Sequence, residues 1–312
     1  MTGVGGQDGR YLVERLAGEG VEVHALAHGA EPLPDLPGVE LYVGDLTRAD
    51  DVRRLLLDLA PDEVYNLAAL SSVGRSWEEP ELTHAVNGTA LAELLNAALA
   101  VQEKAGRHVP VVQASSAEIF GQPDRSPQDE DTPIRPVNPY GAAKAFAHHT
   151  CGVLRRQGLH AATAILYNHE SPLRPRQFVT RKITSTVAAI ARGKADRLEL
   201  GNLDARRDWG WAPDYVDAMV RAARADRPGD YVVATGIAHS VRDFVATAFT
   251  HAGITDWEPL VHVDQALARP VDATELVGDA TRAAMQLGWT PTVGFEEVVA
   301  RMVAADLAAA SP

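Results

Sequence analysis

In the stretch NPYGAAKAF, Tyr140 and Lys144 stand four residues apart, a spacing that puts both side chains on one face of a helix. A free phenol ionises near pH 10, and an ammonium beside it favours the phenolate. Such a tyrosine can act as base or acid toward an alcohol hydroxyl near neutral pH. With seven tyrosines and four lysines in 312 residues, the pair is an uncommon coincidence, although a surface pair on a helix is the plain alternative. Upstream, SSAEIFG follows an apolar run that ends at Ala114. If the backbone stays extended there, Ser116 and Glu118 alternate onto one side and face the site that Tyr140 faces. The serine hydroxyl can then orient a substrate hydroxyl, and the carboxylate can remove a proton from carbon. Taken singly, Ser116 is as easily a turn serine, and Glu118 more often an exposed loop acid.

These side chains need a scaffold that ends strands and starts helices along one edge. The apolar stretches 21–27, 40–43, 63–68 and 108–114 read as short strands, each followed by a helical or turn-rich stretch. That alternation predicts an α/β fold with a doubly wound parallel sheet. Asp45 or Thr47 is placed to cap a helix over 51–59, and 83–101 carries apolar residues at helical spacing. Past residue 168, Pro172, Pro175, Pro213 and Pro228 interrupt helical stretches. The expectation is a first unit over 1–167 and a smaller lobe over 168–312, with a strand at 230–234 returning to the main sheet.

The opening TGVGGQDG sets Gly3, Gly6 and Gly9 in a G-x-x-G-x-x-G spacing, suited to a pyrophosphate at a helix N-terminus. In a doubly wound sheet the strand feeding that loop is central, and here it would have to fit into Met1. Omitting a central strand leaves two ladders unpaired and apolar faces uncovered. The sequence therefore leads us to expect a strand of about five to seven residues upstream of Met1.

Composition narrows the partners. A formal charge of -13 argues against nucleic acid or an anionic membrane as ligand, because neutralising phosphates needs a basic face. An anionic substrate must be met by local basic stretches such as 174–182 and 206–207. Cys151 is the only cysteine, which excludes an intramolecular disulfide and a multi-cysteine metal site, and suits a reducing cytoplasm. No metal-ligand set stands out, and no run of about 18 apolar residues offers a membrane span.

The stretches TGVGGQDG, YNLAA, SSAEIFG, NPYGAAK, LYNHESP, FVTRKIT, LGNLDARRDWGWAPDYV, YVVATG and HSVRDFV together resemble the GDP-mannose 4,6-dehydratases, within the extended short-chain dehydrogenase/reductases. The similarity runs nearly end to end. It implies a Rossmann-type domain with a smaller C-terminal substrate-binding lobe. It also implies that Tyr140, helped by Lys144, takes the C4 hydroxyl proton while hydride leaves C4. Glu118 then abstracts the C5 proton, the C6 hydroxyl leaves as water, and the hydride returns to C6. Ser116 stands where the family usually has threonine. Cofactor contacts carried over are Gly3, Gly6, Gln7, Asp8, Gly9, Asp45, Leu46, Leu67, Ala69, Tyr140, Lys144, His169 and Arg174. Those carried over for the nucleotide sugar are Asn168, Lys182, Arg207 and Arg269. The cofactor implied is NADP, and the assembly a homo-oligomer, dimer or tetramer.

Several positions depart from the family pattern. His28 and Gly29 stand where an arginine pair suited to a 2′-phosphate is usual, which leaves NAD open beside NADP. Ala117 replaces a common serine and removes a side-chain acid for the leaving water. Leu70, Ser72 and Leu82 replace polar or aromatic residues, and the segment before RPVDATEL is short. An NDP-sugar epimerase or 4-keto reductase, or a non-catalytic nucleotide-sugar binder, are the alternatives. Glu118 counts against the first two, and the intact Ser116, Glu118, Tyr140 and Lys144 count against the third.

Overall fold

The structure is a computed structural model that describes residues 1–29, 36–267 and 275–309. The glycine loop leads into α1 (Gln7–Gly18), followed by β1 (Val23–Ala27), β2 (Val39–Val43), α2 (Ala49–Leu59) and β3 (Val64–Asn66). Next come α3 (Val73–Glu78), α4 (Pro80–His84), a π-turn over Ala85–Thr89, α5 (Ala90–Ala105), β4 (Val111–Ala114), a 3₁₀ turn over Ala117–Ile119, α6 (Pro139–Arg156) and β5 (Ala161–Leu166). The second half holds β6 (Asn168–Glu170), α7 (Val179–Ala191), β7 (Leu198–Leu200), β8 (Arg206–Trp211), α8 (Ala212–Ala223), β9 (Asp230–Val233) and β10 (Ala238–Ser240). It closes with α9 (Val241–His251), β11 (Val261–Val263), β12 (Glu275–Leu276), α10 (Thr281–Leu287) and α11 (Phe295–Ala309).

Strands β3, β4, β5 and β9 form a parallel ladder in that order, with Val111 opposite Ala161 and Thr163 opposite Asp230. Every residue of β5 is buried, as expected for a strand covered on both faces by helices, where the apolar run is continuous rather than alternating. The strand expected at 230–234 does return to this sheet. β1 and β2 make a separate parallel pair, and among the described residues Thr2 joins the two ladders, bridging Leu26 on one side and Asn66 on the other. The sheet order is thus β2, β1, Met1–Thr2, β3, β4, β5, β9.

One core cluster joins Leu12 and Leu16 of α1 to Val216 and Met219 of α8, on one face of the sheet. On the other face, Val52 of α2 packs with Leu94 and Leu95 of α5 and with Cys151 of α6. A third cluster gathers Ile183, Val187, Phe244, Phe249, Val299 and Met302 from α7, α9 and α11 around Trp209 of β8. The Arg181 guanidinium locks α7 to α11 through Asp306, at 2.6 Å.

Two local expectations need correction. The helix expected over 83–101 is interrupted by the π-turn, because Asn87 turns inward and its amide both accepts from Leu70 N (2.8 Å) and donates to Leu70 O (3.0 Å). The cap expected from Asp45 or Thr47 is absent. Asp45 instead accepts from Thr47 N and Oγ1 in the turn before α2, whose N-cap is Arg48.

Candidate active site

The glycine loop is shaped by packing. Gly3 has φ +71°, and a Cβ there would lie 2.7 Å from Ala68 N, while one at Gly9 would lie 2.3 Å from Gly3 O. Only glycine lets α1 and the loop after β3 press so closely on the turn. Gly6 differs: it is exposed, and its Cβ would meet only Gly3 O at 3.4 Å. As N-cap of α1 with no side-chain cap, it leaves the helix N-terminus approachable by an anion.

Gln7 and Asp8 do not face outward. Gln7 Nε2 donates to His169 O (3.1 Å), Ser171 Oγ donates to Gln7 Oε1 (2.8 Å), and His169 Nε2 lies 2.9 Å from Asp8 Oδ2. The other ring nitrogen of His169 lies 2.7 Å from the carbonyl oxygen of Tyr167. Both ring nitrogens face acceptors, an arrangement that favours the doubly protonated imidazolium. Burial works against that charge, but the Asp8 carboxylate outweighs it and raises the His169 pKa. Burial likewise pushes the Asp8 carboxyl up, and His169 more than reverses it, leaving Asp8 below its ordinary value. The pair fastens α1 to β6 beside the glycine loop.

The helix α6 carries Tyr140 and Lys144, both buried. Asn138 starts it: its Oδ1 accepts from Gly141 N at 2.7 Å, with Pro139 in the first turn. The Asn138 Nδ2 donates to Glu118 Oε2 at 2.8 Å. A Cβ at Gly141 would sit 2.4 Å from Glu118 O, so the turn carrying Glu118 rests directly on the helix. The extended backbone expected beyond β4 lasts only through Ser116 (φ -153°, ψ 147°). Ser116 caps the 3₁₀ turn, its Oγ accepting from Glu118 N at 3.2 Å. The turn still brings Ser116 and Glu118 near Tyr140, where the serine favours the ionised phenol and the Glu118 charge opposes it.

Burial dominates the electrostatics of both groups. Burial pushes the Tyr140 phenol up to about 12, with Ser116 lowering and Glu118 raising it. Burial pulls Lys144 down to about 8. The Lys144 Nζ donates to Ala114 O (2.7 Å) and stands 5.8 Å from the Tyr140 ring centroid. Lys144 thus spends a hydrogen bond on the end of β4, and burial favours the neutral phenol.

Residues not singled out from sequence complete the site. Thr2 Oγ1 donates to Asn66 Oδ1 (2.6 Å), Asn66 Nδ2 to Gln113 Oε1 (2.7 Å), and Gln113 Nε2 to Ala114 O (2.8 Å), the carbonyl that also holds Lys144. This buried chain ties the glycine loop to the catalytic helix across the strand ends. Ser76 joins it to α3 by accepting from Tyr140 N at 3.2 Å. Only Asn138 carried a readable signal, a capping residue directly before Pro139.

Among the other expected contacts, Asp45 is half-buried and Leu46 buried just after β2, while Leu67 and Ala69 follow β3. Arg174 stacks on Phe178 (3.8 Å) and reaches Glu170 Oε2 at 3.3 Å. Asn168 pairs with Trp209 in register, Lys182 lies on α7, and Arg207 is buried on β8. Arg269 lies outside the described residues. Ala117 is 2% exposed and packs in the core cluster.

Solved structures with this arrangement include the UDP-glucose 4-epimerase of Thermus thermophilus in complex with NAD. It is 28% identical, with a TM-score of 0.84 over 98% of this chain and 97% of that one. The fold and the cluster at its strand ends define a Rossmann-type enzyme with a nicotinamide cofactor. The model of the family described as GDP-mannose 4,6 dehydratase matches residues 1–302. GDP-mannose 4,6 dehydratase 2 of Arabidopsis thaliana is 42% identical across 98% of this chain and 86% of its own length. The Homo sapiens GDP-mannose 4,6 dehydratase is 39% identical across 98% and 90%. The chain belongs to the GDP-mannose 4,6-dehydratase family and is a hydro-lyase of that type.

Proposed function

We propose that the protein converts GDP-mannose to GDP-4-keto-6-deoxymannose and water, with NADP as its cofactor. The observation that carries this reading is the Glu118 carboxylate, held by Asn138 beside the Ser116–Tyr140 pair: a carboxylate base on carbon is needed for elimination and not for simple alcohol oxidation. The donor set fits a dinucleotide. The open Gly6 edge at the N-terminus of α1 suits a pyrophosphate. A bound nicotinamide dinucleotide supplies the hydride acceptor and donor.

The chain's own residues move the protons. Tyr140, buried and oriented by Ser116, receives the C4 hydroxyl proton, and positive charge close to the ring would lower its raised pKa toward the working range. The C4 ketone acidifies the C5 hydrogen, and Glu118 takes that proton. Glu118 is also the group that returns the proton to the departing C6 oxygen, so C5–H and C6–OH leave as one water, and the proton that Tyr140 took from the C4 hydroxyl balances the one C5 regains when C6 is reduced. Asn168, Lys182, Arg207 and Arg269 are assigned to the sugar nucleotide, and the locally basic segments around Arg174 and Arg207 meet its diphosphate. The exposed Phe146 and Val153, seven residues apart on α6, support a homo-oligomer built on that face. The single, buried cysteine suits a cytoplasmic setting.

The test is mass spectrometry of GDP-mannose incubated with purified protein and NADP, with NAD in parallel. Loss of one water with a new ketone is expected, and faster with NADP. Unchanged GDP-mannose under both conditions would overturn the substrate assignment, and preference for NAD would overturn the cofactor assignment.

A further inference from the structure

The hydrogen-bonded chain from Thr2 to Ala114 has a single possible direction, because neither of its ends can turn round. At its start, Thr2 Oγ1 accepts from two backbone N–H groups, Leu67 N at 3.2 Å and Ala68 N at 3.1 Å. A hydroxyl that accepts twice has only its hydrogen left to give, and that hydrogen goes to Asn66 Oδ1 at 2.6 Å. The Asn66 amide must then present Nδ2 to Gln113 Oε1, and the Gln113 amide must present Nε2 to Ala114 O, at 2.7 and 2.8 Å. At the far end stands a backbone carbonyl, which only accepts. Both amide orientations, which side-chain shape alone leaves open, are thus set by backbone groups at the two ends. Thr2, Asn66 and Gln113 are all buried, so a reversed amide would face donor with donor and acceptor with acceptor away from water, a costly arrangement.

The Ala114 carbonyl is where this chain meets the acid–base cluster. It accepts both from Gln113 Nε2 and from Lys144 Nζ, at 2.8 and 2.7 Å. Two donors on one oxygen occupy both of its lone pairs and share its charge, so each is held less tightly than it would be alone. The positive end of the Gln113 amide also stands beside the ammonium and opposes its charge. Upstream donors strengthen the effect, since each group in such a chain polarises the next. Asp8 of α1 and Cys151 of α6 favour the Lys144 charge and burial opposes it, while the Tyr140 ring lies 5.8 Å away. None of these groups belongs to the chain, so altering the chain leaves them in place.

We propose that Thr2, Asn66 and Gln113 are positioning residues for Lys144: together they deliver one hydrogen to the Ala114 carbonyl and so limit its hold on the ammonium. The chain begins at the backbone of Leu67 and Ala68, the loop on which Gly3 packs so closely that a Cβ there would lie 2.7 Å from Ala68 N. The glycine loop and the Lys144 ammonium therefore stand at opposite ends of one polarised path. What this path means for the reaction rests on the reading of Lys144 as the helper of Tyr140, whereas the path itself does not.

The protein has four lysines, so carbon-13 labelling at lysine Cε gives four signals, and the one lost in Lys144→Arg belongs to Lys144. Its titration is followed by NMR in the protein alone, without dinucleotide or sugar nucleotide, so a failure here and a failure of GDP-mannose turnover are read apart. Burial pulls Lys144 down to about 8, within reach of such a titration. Gln113→Met removes the donor at nearly constant volume and should move the midpoint up by about half a pH unit or more, the share of one hydrogen bond. Thr2→Val, three hydrogen bonds away from Ala114 O, should move it in the same direction, and Thr2→Ser, which keeps the hydroxyl, should leave it at the parent value. Adding Thr2→Val to Gln113→Met should shift nothing further, because the path is already cut. A midpoint that stays put or falls in Gln113→Met, or in a folded Thr2→Val, overturns the proposal. So does a Thr2→Ser variant that moves as far as Thr2→Val, or a double variant in which the two shifts add in full. Should Thr2→Val fail to fold, Gln113→Met decides alone.

Discussion

At the scale of single residues, the site depends on how Glu118 and Tyr140 are held. The carboxylate receives Asn138 Nδ2 through one oxygen, and the same asparagine caps the helix that carries the phenol. One side chain thus sets both acid–base groups. Glu118→Gln keeps the hydrogen-bonding shape but cannot accept the C5 proton, so turnover to the dehydrated product should fall by about 10²–10⁴-fold. Oxidation at C4 should persist, visible as a transient nicotinamide absorbance near that of the reduced cofactor. A Gln variant with near-normal dehydration would remove Glu118 from the mechanism. Asn138 separates two roles. Asn138→Ala loses the cap, costing about 1 kcal/mol of stability. Asn138→Asp retains a cap acceptor but sets a second carboxylate against Glu118, so it should melt close to the parent while losing turnover. Equal losses of turnover and melting point in both variants would reduce Asn138 to a structural cap.

Sequence made these residues visible unevenly. The four-residue spacing of Tyr140 and Lys144 is legible because helix periodicity depends on local geometry alone. The state of the phenol is not, because burial, which drives it up to about 12, comes from segments far apart in the chain.

At the scale of elements, strands β1, β2, β3, β4 and β9 follow from short apolar runs. The interruptions do not, because they answer to distant partners: the π-turn exists to hand Asn87 to Leu70, and the 3₁₀ turn lets Ser116 and Glu118 reach α6 without the alternation of an extended strand. The Asp8–His169 pair is a similar long-range fastening, joining residues 161 positions apart at 2.9 Å. Its pH dependence follows from the two shifts. His169 is raised above 6.5, so its contribution is full below that value and is lost as pH rises through the folded pKa. Asp8 is lowered below 3.8, so its contribution is full above that value and is lost as pH falls through the folded pKa. The pair therefore stabilises most between about pH 4 and 6.5. The melting-point gap between the parent and His169→Gln should be largest in that window and shrink toward alkaline pH. A gap that is flat, or widest at alkaline pH, would show that His169 is not carrying the charge.

At the scale of the whole molecule, an acidic chain of net charge -13 must still hold an anionic sugar nucleotide, and we propose that it does so with basic side chains on the elements beside the strand ends. α7 is one of these: it carries Lys182 and is itself anchored by its neighbour Arg181, whose side chain is 12% exposed, against Asp306, 3% exposed, on α11. Thr184 Oγ1 donates to the same carboxylate at 2.7 Å. Removing one partner of such a pair strands a charge in the interior, which costs about 3–5 kcal/mol, whereas replacing both with apolar groups is often neutral or better. Asp306→Ala should therefore lower the melting point strongly and raise KM for the nucleotide sugar by loosening α7, with less effect on kcat. The pair Arg181→Met with Asp306→Leu should restore most of the stability. Whether KM recovers with it decides what the ion pair is for. Recovery would mean that any firm contact between α7 and α11 positions Lys182, while a stable double variant with a persistently raised KM would mean that the direction imposed by the Arg181 fork, and not the docking of the helices, sets the binding face.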